Sequence, residues 1–375
     1  MSKYKTNFSR GCFHHWSVSK AIMEMVQNFL DSDGEQEYEF TDTGLTLTNK
    51  NIKVSNKLLM MGMSDKRDDN TKRGQFGVGS CQAMVVLIDL GISVVIENNS
   101  VQWQPEFEYC PQFDADIMVI NETPCNNGSD FTVIIDGLSP EDIEEVKQRC
   151  LVFQDREVLF STEYGDIIEN PTDNGGGEVF CGDMYVCQNS SFRYSYNFKP
   201  KGIKLSQDRD AVSQWELQAL TSKLIVATGD NNFIKEAIRE RSVDTQSVNT
   251  QWSCDPKTDS ELDDELAEEF LSKNGAKYVT SSYDDHQTQE KLGNKSIYIQ
   301  NEKEVNAIKR SGLYKEAILN VDMVEAVPFT EQLADLLDNM EGLLQDNHLL
   351  HGERGEDIIS ILEIIRDKID NEDFD

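Results

Sequence analysis

Two segments decide the fold: Val18-Ser-Lys-Ala-Ile-Met-Glu24-Met-Val-Gln-Asn28-Phe-Leu-Asp31, and Gly74-Gln75-Phe76-Gly77-Val78-Gly79-Ser80. In the first, Ala21, Met25 and Phe29, and beside them Ile22, Val26 and Leu30, recur at helical spacing, which predicts a helix over 18–30. Glu24, Asn28 and Asp31 then fall within about 60° of one face. That face presents a carboxylate, an amide and a second carboxylate. Magnesium–phosphate chemistry uses such a set: an oxygen ligand for the hard cation and a carboxylate to activate water. The wet face of any amphipathic helix offers the same residue types. The second segment lies between a polar loop, Ser64–Arg73, and an apolar stretch read as a helix over Cys81–Leu90. Its glycines let a ligand approach the backbone, and a helix N-terminus supplies unpaired N–H groups and a positive dipole end for phosphate. A tight turn would use the same glycines. No Gly-Lys-Ser/Thr follows, so it is not a P-loop, and the glycine order is the reverse of the dinucleotide fingerprint.

In this order, with Glu24 50 positions before Gly74, the chain resembles the GHKL ATPase superfamily of gyrase B, the ninety-kilodalton heat-shock chaperones, sensor histidine kinases and MutL. Glu24, Asn28 and Asp31 match that family's N-box. Ser64-Asp65-Lys66 resembles the Ser-Lys element of its ATP lid, and Gly74–Gly79 is close to the chaperone wording of the lid glycine motif. Gly128-Ser129-Asp130-Phe131 resembles the later Gly-Thr element, with Ser for Thr. Asp31 and the lack of a preceding phosphoacceptor helix set the chain apart from the histidine-kinase branch. Its wording is closest to stand-alone bacterial or phage members.

The resemblance implies ATP and Mg²⁺ as cofactors and assigns roles. Glu24 is the implied general base and Asn28 the implied metal ligand. Asp31, Lys66, Gly74, Gln75, Phe76, Gly77, Val78, Gly79 and Ser129 are implied around the nucleotide. Lys204-Leu-Ser-Gln-Asp-Arg209 resembles the chaperone middle-domain segment that sends an arginine to the γ-phosphate, which makes Arg209 the implied catalytic arginine. The family's Asp-x-Gly-x-Gly is missing. Leu47-Thr-Asn49-Lys-Asn-Ile52 stands in its place, so Asn49 is the implied adenine contact and Asp42, in Asp42-Thr43-Gly44, the rival placement.

The implied fold is α+β. It comprises a GHKL (Bergerat) α/β sandwich with a mixed, mainly antiparallel sheet over 1–150 and a second small α/β domain over 151–240. A polar linker follows over 241–260, then an acidic, α-rich section over 261–375. A hairpin is expected at Tyr38–Leu47. Strands are expected at Ile92–Glu97, Val101–Tyr109, Asp116–Ile120, Phe131–Ile135, Glu178–Cys187 and Ser191–Phe198. Ser139-Pro140-Glu141-Asp142 starts a helix running to about Val152, and Ala211–Thr228, Phe329–Leu344 and Asp357–Ile369 read as helices.

Charge divides the 375 residues. Formal net charge is −33. Residues 1–100 hold 12 acids against 11 bases, 101–240 hold 25 against 11, and 241–375 hold 31 against 13. Nucleic acid and anionic membrane are therefore disfavoured partners, and only the near-neutral first hundred residues welcome an anionic ligand. Eight cysteines without a Cys-x-x-Cys pair argue against a zinc site or a disulfide framework. The N-terminus lacks an apolar signal core and no apolar run approaches the ~20 residues that span a bilayer, so a cytoplasmic location is expected, the host's if the source is viral. Two functions fit: slow Mg-dependent ATP hydrolysis used as a conformational switch, read by an unidentified protein partner or a homodimer, or a non-catalytic acidic binding or inhibitor protein on a vestigial nucleotide fold.

Overall fold

The computed structural model describes residues 2–56, 72–73, 79–170, 176–200, 202–203, 213–240, 242–248, 256–320, 333, 336–338, 340 and 353–370. Two compact units emerge, Met1–Asp230 with Glu240–Val248, and Asn231–Arg239 with Asn249–Asp375.

The first unit opens with a seven-stranded sheet. Its strands are β1 (Ser2–Ser9), β2 (Gln36–Phe40), β3 (Gly44–Asn49), β4 (Ser93–Asn98), β5 (Val101–Cys110), β6 (Ala115–Pro124) and β7 (Phe131–Asp136), in the order β1-β6-β5-β4-β7-β3-β2. Every neighbouring pair is antiparallel. Alternation fixes the register. Leu45 and Leu47, Val94 and Ile96, Val133 and Ile135, Met118 and Ile120 share one buried core with three helices: α1 (Val18–Leu30), α2 (Gly79–Asp89) and α3 (Pro140–Gln148). A one-residue slip would turn each pair away from that core. Ser17 caps α1, its Oγ accepting from Lys20 N at 3.2 Å. Ser139 and Asp142 form a capping box at α3, a reciprocal pairing of two backbone donors. Ser19 Oγ donates to Glu145 Oε1 at 2.7 Å, tying α1 to α3.

The same unit carries a second, five-stranded sheet of β8 (Val158–Ser161), β9 (Gly165–Ile168), β10 (Gly177–Cys181), β11 (Met184–Asn189) and β12 (Ser195–Phe198), with α4 (Gln214–Val226). The order is β11-β10-β12-β9-β8. Only β10 and β12 run parallel, so this sheet is mixed. The stretch expected as one strand over Glu178–Cys187 is a hairpin, turned at Gly182-Asp183. The expected linker over 241–260 is also corrected. Residues 242–248 pack into the first unit, with Asp244 fully buried. Its carboxylate accepts from Arg193 N (3.0 Å), Tyr194 N (3.1 Å) and Tyr196 Oη (2.7 Å), and Thr221 Oγ1 donates to its carbonyl at 2.8 Å. Polar composition marks a loop; it does not show that one acid of the loop is an anchor.

The second unit comprises α5 (Asn231–Arg239), α6 (Pro256–Asn274), β13 (Tyr278–Thr280), α7 (Tyr283–Lys291), β14 (Ser296–Tyr298), α8 (Glu302–Arg310), α9 (Gly312–Leu319) and α10 (Glu353–Asp370). Parallel β13 and β14 are joined through α7, a small βαβ turn. The sequence places Phe233–Arg239 with the preceding domain. As α5, this segment joins the second unit because its bases meet acids there. Lys235 Nζ lies 3.0 Å from Glu265 and 2.6 Å from Glu269, and Arg239 reaches Glu269 at 2.7 Å and Glu304 at 2.8 Å. Arg310 grips Asp263 with two nitrogens, at 2.9 and 3.0 Å. Part of the acidic excess thus serves internal pairing. The helix expected over Phe329–Leu344 falls mostly outside the described residues. Among the described residues, no helix is long and apolar enough to cross a membrane.

Candidate functional site

The polar face of α1 meets the start of α2. Asn28 Nδ2 donates to Ser80 Oγ at 2.8 Å and back to its own helix at Glu24 O, 3.0 Å away. The Glu24 carboxylate lies against Gly79, the first residue of α2. A Cβ built on Gly79 would overlap Glu24 Oε2 and stand 3.1 Å from its Cδ. A side chain at this position would displace the Glu24 carboxylate from the space it now fills. The arrangement has an electrostatic basis, since the first turn of a helix carries unpaired N–H groups and a positive dipole end. Burial pushes the Cys81 thiol, two residues further along α2, up to about 11, so it stays protonated and packs as an apolar group.

Asp31 faces elsewhere. It is the C-cap of α1, and its buried carboxylate accepts from Arg73 N at 2.7 Å, with Arg73 Nη1 at 3.4 Å. The three residues of one helical face therefore divide, with Glu24 and Asn28 at the start of α2 and Asp31 holding Arg73.

Asn49 ends β3 beside the C-terminal turn of α1. It is buried and donates through Nδ2 to Phe29 O at 3.0 Å, which leaves its Oδ1 as the acceptor. Ser129 is exposed and donates to Asn51 Oδ1 at 2.9 Å. Asn51 takes a positive φ of 53°, and its backbone N donates to Asp130 Oδ1 at 2.9 Å. The chain leaving β3 is stitched to the β4–β5 turn, with Asn98 making two bonds to the backbone of Val54, at 3.2 and 2.8 Å, and Asn99 one to Ile52 O at 2.9 Å. Asp42 lies at the opposite end of β3, where Thr43 bonds Asp136 at 2.8 Å. A six-residue strand puts it roughly 16 Å or more from Asn49. Of the two placements, Asn49 adjoins α1.

Lys66, Gly74, Gln75, Phe76, Gly77, Val78 and Arg209 lie outside the described residues. Arg73, the residue before the glycine segment, is the member of this region that sequence reasoning missed; it counts there only as one of several bases. Its partners, Asp31, Gly182 and Asp183, are 42, 109 and 110 positions away. The Gly182-Asp183 pair between apolar residues does carry a hairpin-turn signal.

Among the described residues, no cluster of His, Cys, Asp and Glu has the form of a metal site. A hard cation would here rest on the Asn28 amide oxygen together with a ligand's own oxygens, a donor set suited to Mg²⁺. Residues 141–231, from α3 through the second sheet and α4, match the family model of the Mycoplasma pneumoniae MPN635 N-terminal domain. No curated protein matches the chain.

Proposed function

We propose that the first unit is a GHKL-type sandwich that binds ATP with Mg²⁺ and hydrolyses it slowly, as a conformational switch. One observation carries this reading: the Glu24 carboxylate and the Asn28 amide meet the N-terminal turn of α2 at Gly79-Ser80. A carboxylate, a side-chain amide and a helix N-terminus converge where a polyphosphate would need a base, a cation ligand and N–H donors. In this reading the Asn28 amide oxygen would hold Mg²⁺, which when bound would supply neutralisation of phosphate charge. The sequence resemblance assigns Gly74, Gln75, Phe76, Gly77, Val78 and Gly79, together with Lys66, to the phosphates. Asn49 accepts from the adenine amino group through Oδ1, and Ser129, bonded to Asn51, is assigned to the adenine side by the resemblance. The resemblance assigns Arg209 to the γ-phosphate. Glu24 orients and deprotonates the attacking water.

The test is Glu24→Ala in the full chain, assayed for ATP binding by calorimetry and for phosphate release. Binding is expected to persist and turnover to fall by about 10²–10⁴, the usual cost of losing a general base. Equal turnover in wild type and variant removes Glu24 from the chemistry.

A further inference from the structure

We propose that Arg73 is a positioning residue that couples the Glu24–Asn28–Gly79 site to the second sheet, carrying nucleotide occupancy to the β10–β11 turn. The coupling rests on the nucleotide reading above.

Arg73 stands six residues before Gly79 in the chain and directly precedes the glycine motif. It is largely buried and makes bonds in two directions. Toward α1, its backbone N and Nη1 reach Asp31 Oδ1, and Nη1 also reaches Leu30 O at 3.2 Å. Toward the second sheet, Nη2 reaches Asp183 Oδ2 at 2.5 Å and Nε donates to Gly182 O. One planar guanidinium therefore spans two carboxylates and two carbonyls that belong to different sheets' supporting elements. A lysine offers a point charge and cannot hold this fork.

The receiving turn is built for the contact. Gly182 and Asp183 both take positive φ, 57° and 67°, between the paired Cys181 and Met184. Two positive φ values are what a two-residue hairpin turn of this twist requires. A Cβ on Gly182 would stand 3.0 Å from Arg73 Nε and 3.2 Å from its Cγ, so the Arg73 side chain packs closely over this glycine. Asp183, in a backbone conformation that L residues seldom adopt, is locked from behind. Asn197 Nδ2 donates to its Oδ1 at 2.8 Å, and Asp183 N donates to Asn197 Oδ1 at 2.9 Å. Gly182 N donates to Phe198 O at 2.7 Å. β12 thus holds the turn from one side while Arg73 holds it from the other. Asp31, Arg73 and Asp183 form a charge-assisted chain from the helix that carries Glu24 and Asn28 to the β10–β11 turn at the edge of the second sheet. A change at α1 or at the entry to the glycine segment must move the guanidinium, and the fork meets Asp183 and Gly182 O together in one position.

Coupling between two sites is reciprocal, so the turn must influence nucleotide affinity as much as nucleotide influences the turn. Arg73→Ala would strand the buried Asp31 carboxylate and risk the fold. The informative variants are Asp183→Asn, Arg73→Lys and their combination. Each full-length protein is titrated calorimetrically with a non-hydrolysable ATP analogue in Mg²⁺. Amide exchange at Gly182–Met184 is followed with and without that analogue, and the melting temperature without it is recorded. In wild type the analogue is expected to slow exchange at the turn by about 10-fold, within the usual range of coupling between sites. In Asp183→Asn that slowing should vanish and affinity should fall by a similar factor, about 10-fold. The double variant should bind no worse than Arg73→Lys alone. A wild type that binds the analogue while exchange at the turn is unchanged overturns the coupling, as does wild-type affinity in Asp183→Asn. A wild type that binds no analogue overturns the nucleotide reading itself, and the coupling with it.

Discussion

Glu24 sits one turn before Asn28 on α1, and the carboxylate of the one and the amide of the other converge on Gly79 and Ser80. Their spacing was legible in the sequence, because four residues is one helical turn. Their meeting with α2 was legible only through the paired motifs. The different orientation of Asp31 was not legible at all, since its partner Arg73 lies 42 positions away and long-range pairing leaves no trace in local periodicity. Gly79 is the sharpest residue-scale test of this geometry. Gly79→Ala puts a methyl where the Glu24 carboxylate now lies, and that carboxylate ends a flexible side chain, so the fold should survive while Glu24 moves. Turnover should drop by about 10²-fold, as when a reacting group is misplaced by an ångström. An unchanged melting temperature with unchanged turnover would mean that Glu24 does not act from this position.

At the scale of elements, segments with a clear apolar period carry their own signal and short or polar ones do not. Helix α1 begins and ends where its apolar spacing says, and β3 to β7 follow their alternation. The polar edge strand β1 was missed. So were the four-residue strands β8 and β9, whose few residues give too short a pattern to distinguish from loop. Asp244 shows the opposite error, a buried anchor inside a segment that reads as solvent-exposed linker. Its carboxylate is compensated by two backbone N–H groups and the Tyr196 hydroxyl. Burial and the neighbouring Asp244 charge in turn hold the Tyr196 phenol well above its ordinary range, so that hydroxyl keeps its proton to donate. Asp244→Ala leaves these buried donors unpaired. Denaturant unfolding of the first unit should show a loss of about 3 kcal/mol, the usual scale for orphaning buried polar partners. A loss within ~0.5 kcal/mol, as at an ordinary surface position, would show that the loop is not an anchor.

Across the whole molecule, the near-neutral first hundred residues and the acidic remainder give the chain one region suited to an anionic ligand. The basic stretch Lys53–Arg73 that makes it so carries six bases and three acids. In the second unit many of the acids answer bases, as Glu265 and Glu269 do with Lys235, whose bonds hold both carboxyls below their usual range. The division into two units was only partly legible, because α5 is contiguous in sequence with the second sheet's helix yet its cations belong with α6 and α8. The central claim is that Glu24, Asn28 and the start of α2 form a Mg·ATP site, and thermal melting tests it most directly. With ATP at ~100 times its dissociation constant the first unit should gain about 2.7 kcal/mol. For a domain of this size, that raises its melting temperature by roughly 5–10 °C. The shift should shrink when the metal is chelated and largely disappear in Asn28→Ala. A wild type whose melting temperature does not move with ATP and Mg²⁺, or an Asn28→Ala variant that shifts as far as wild type, would contradict the account.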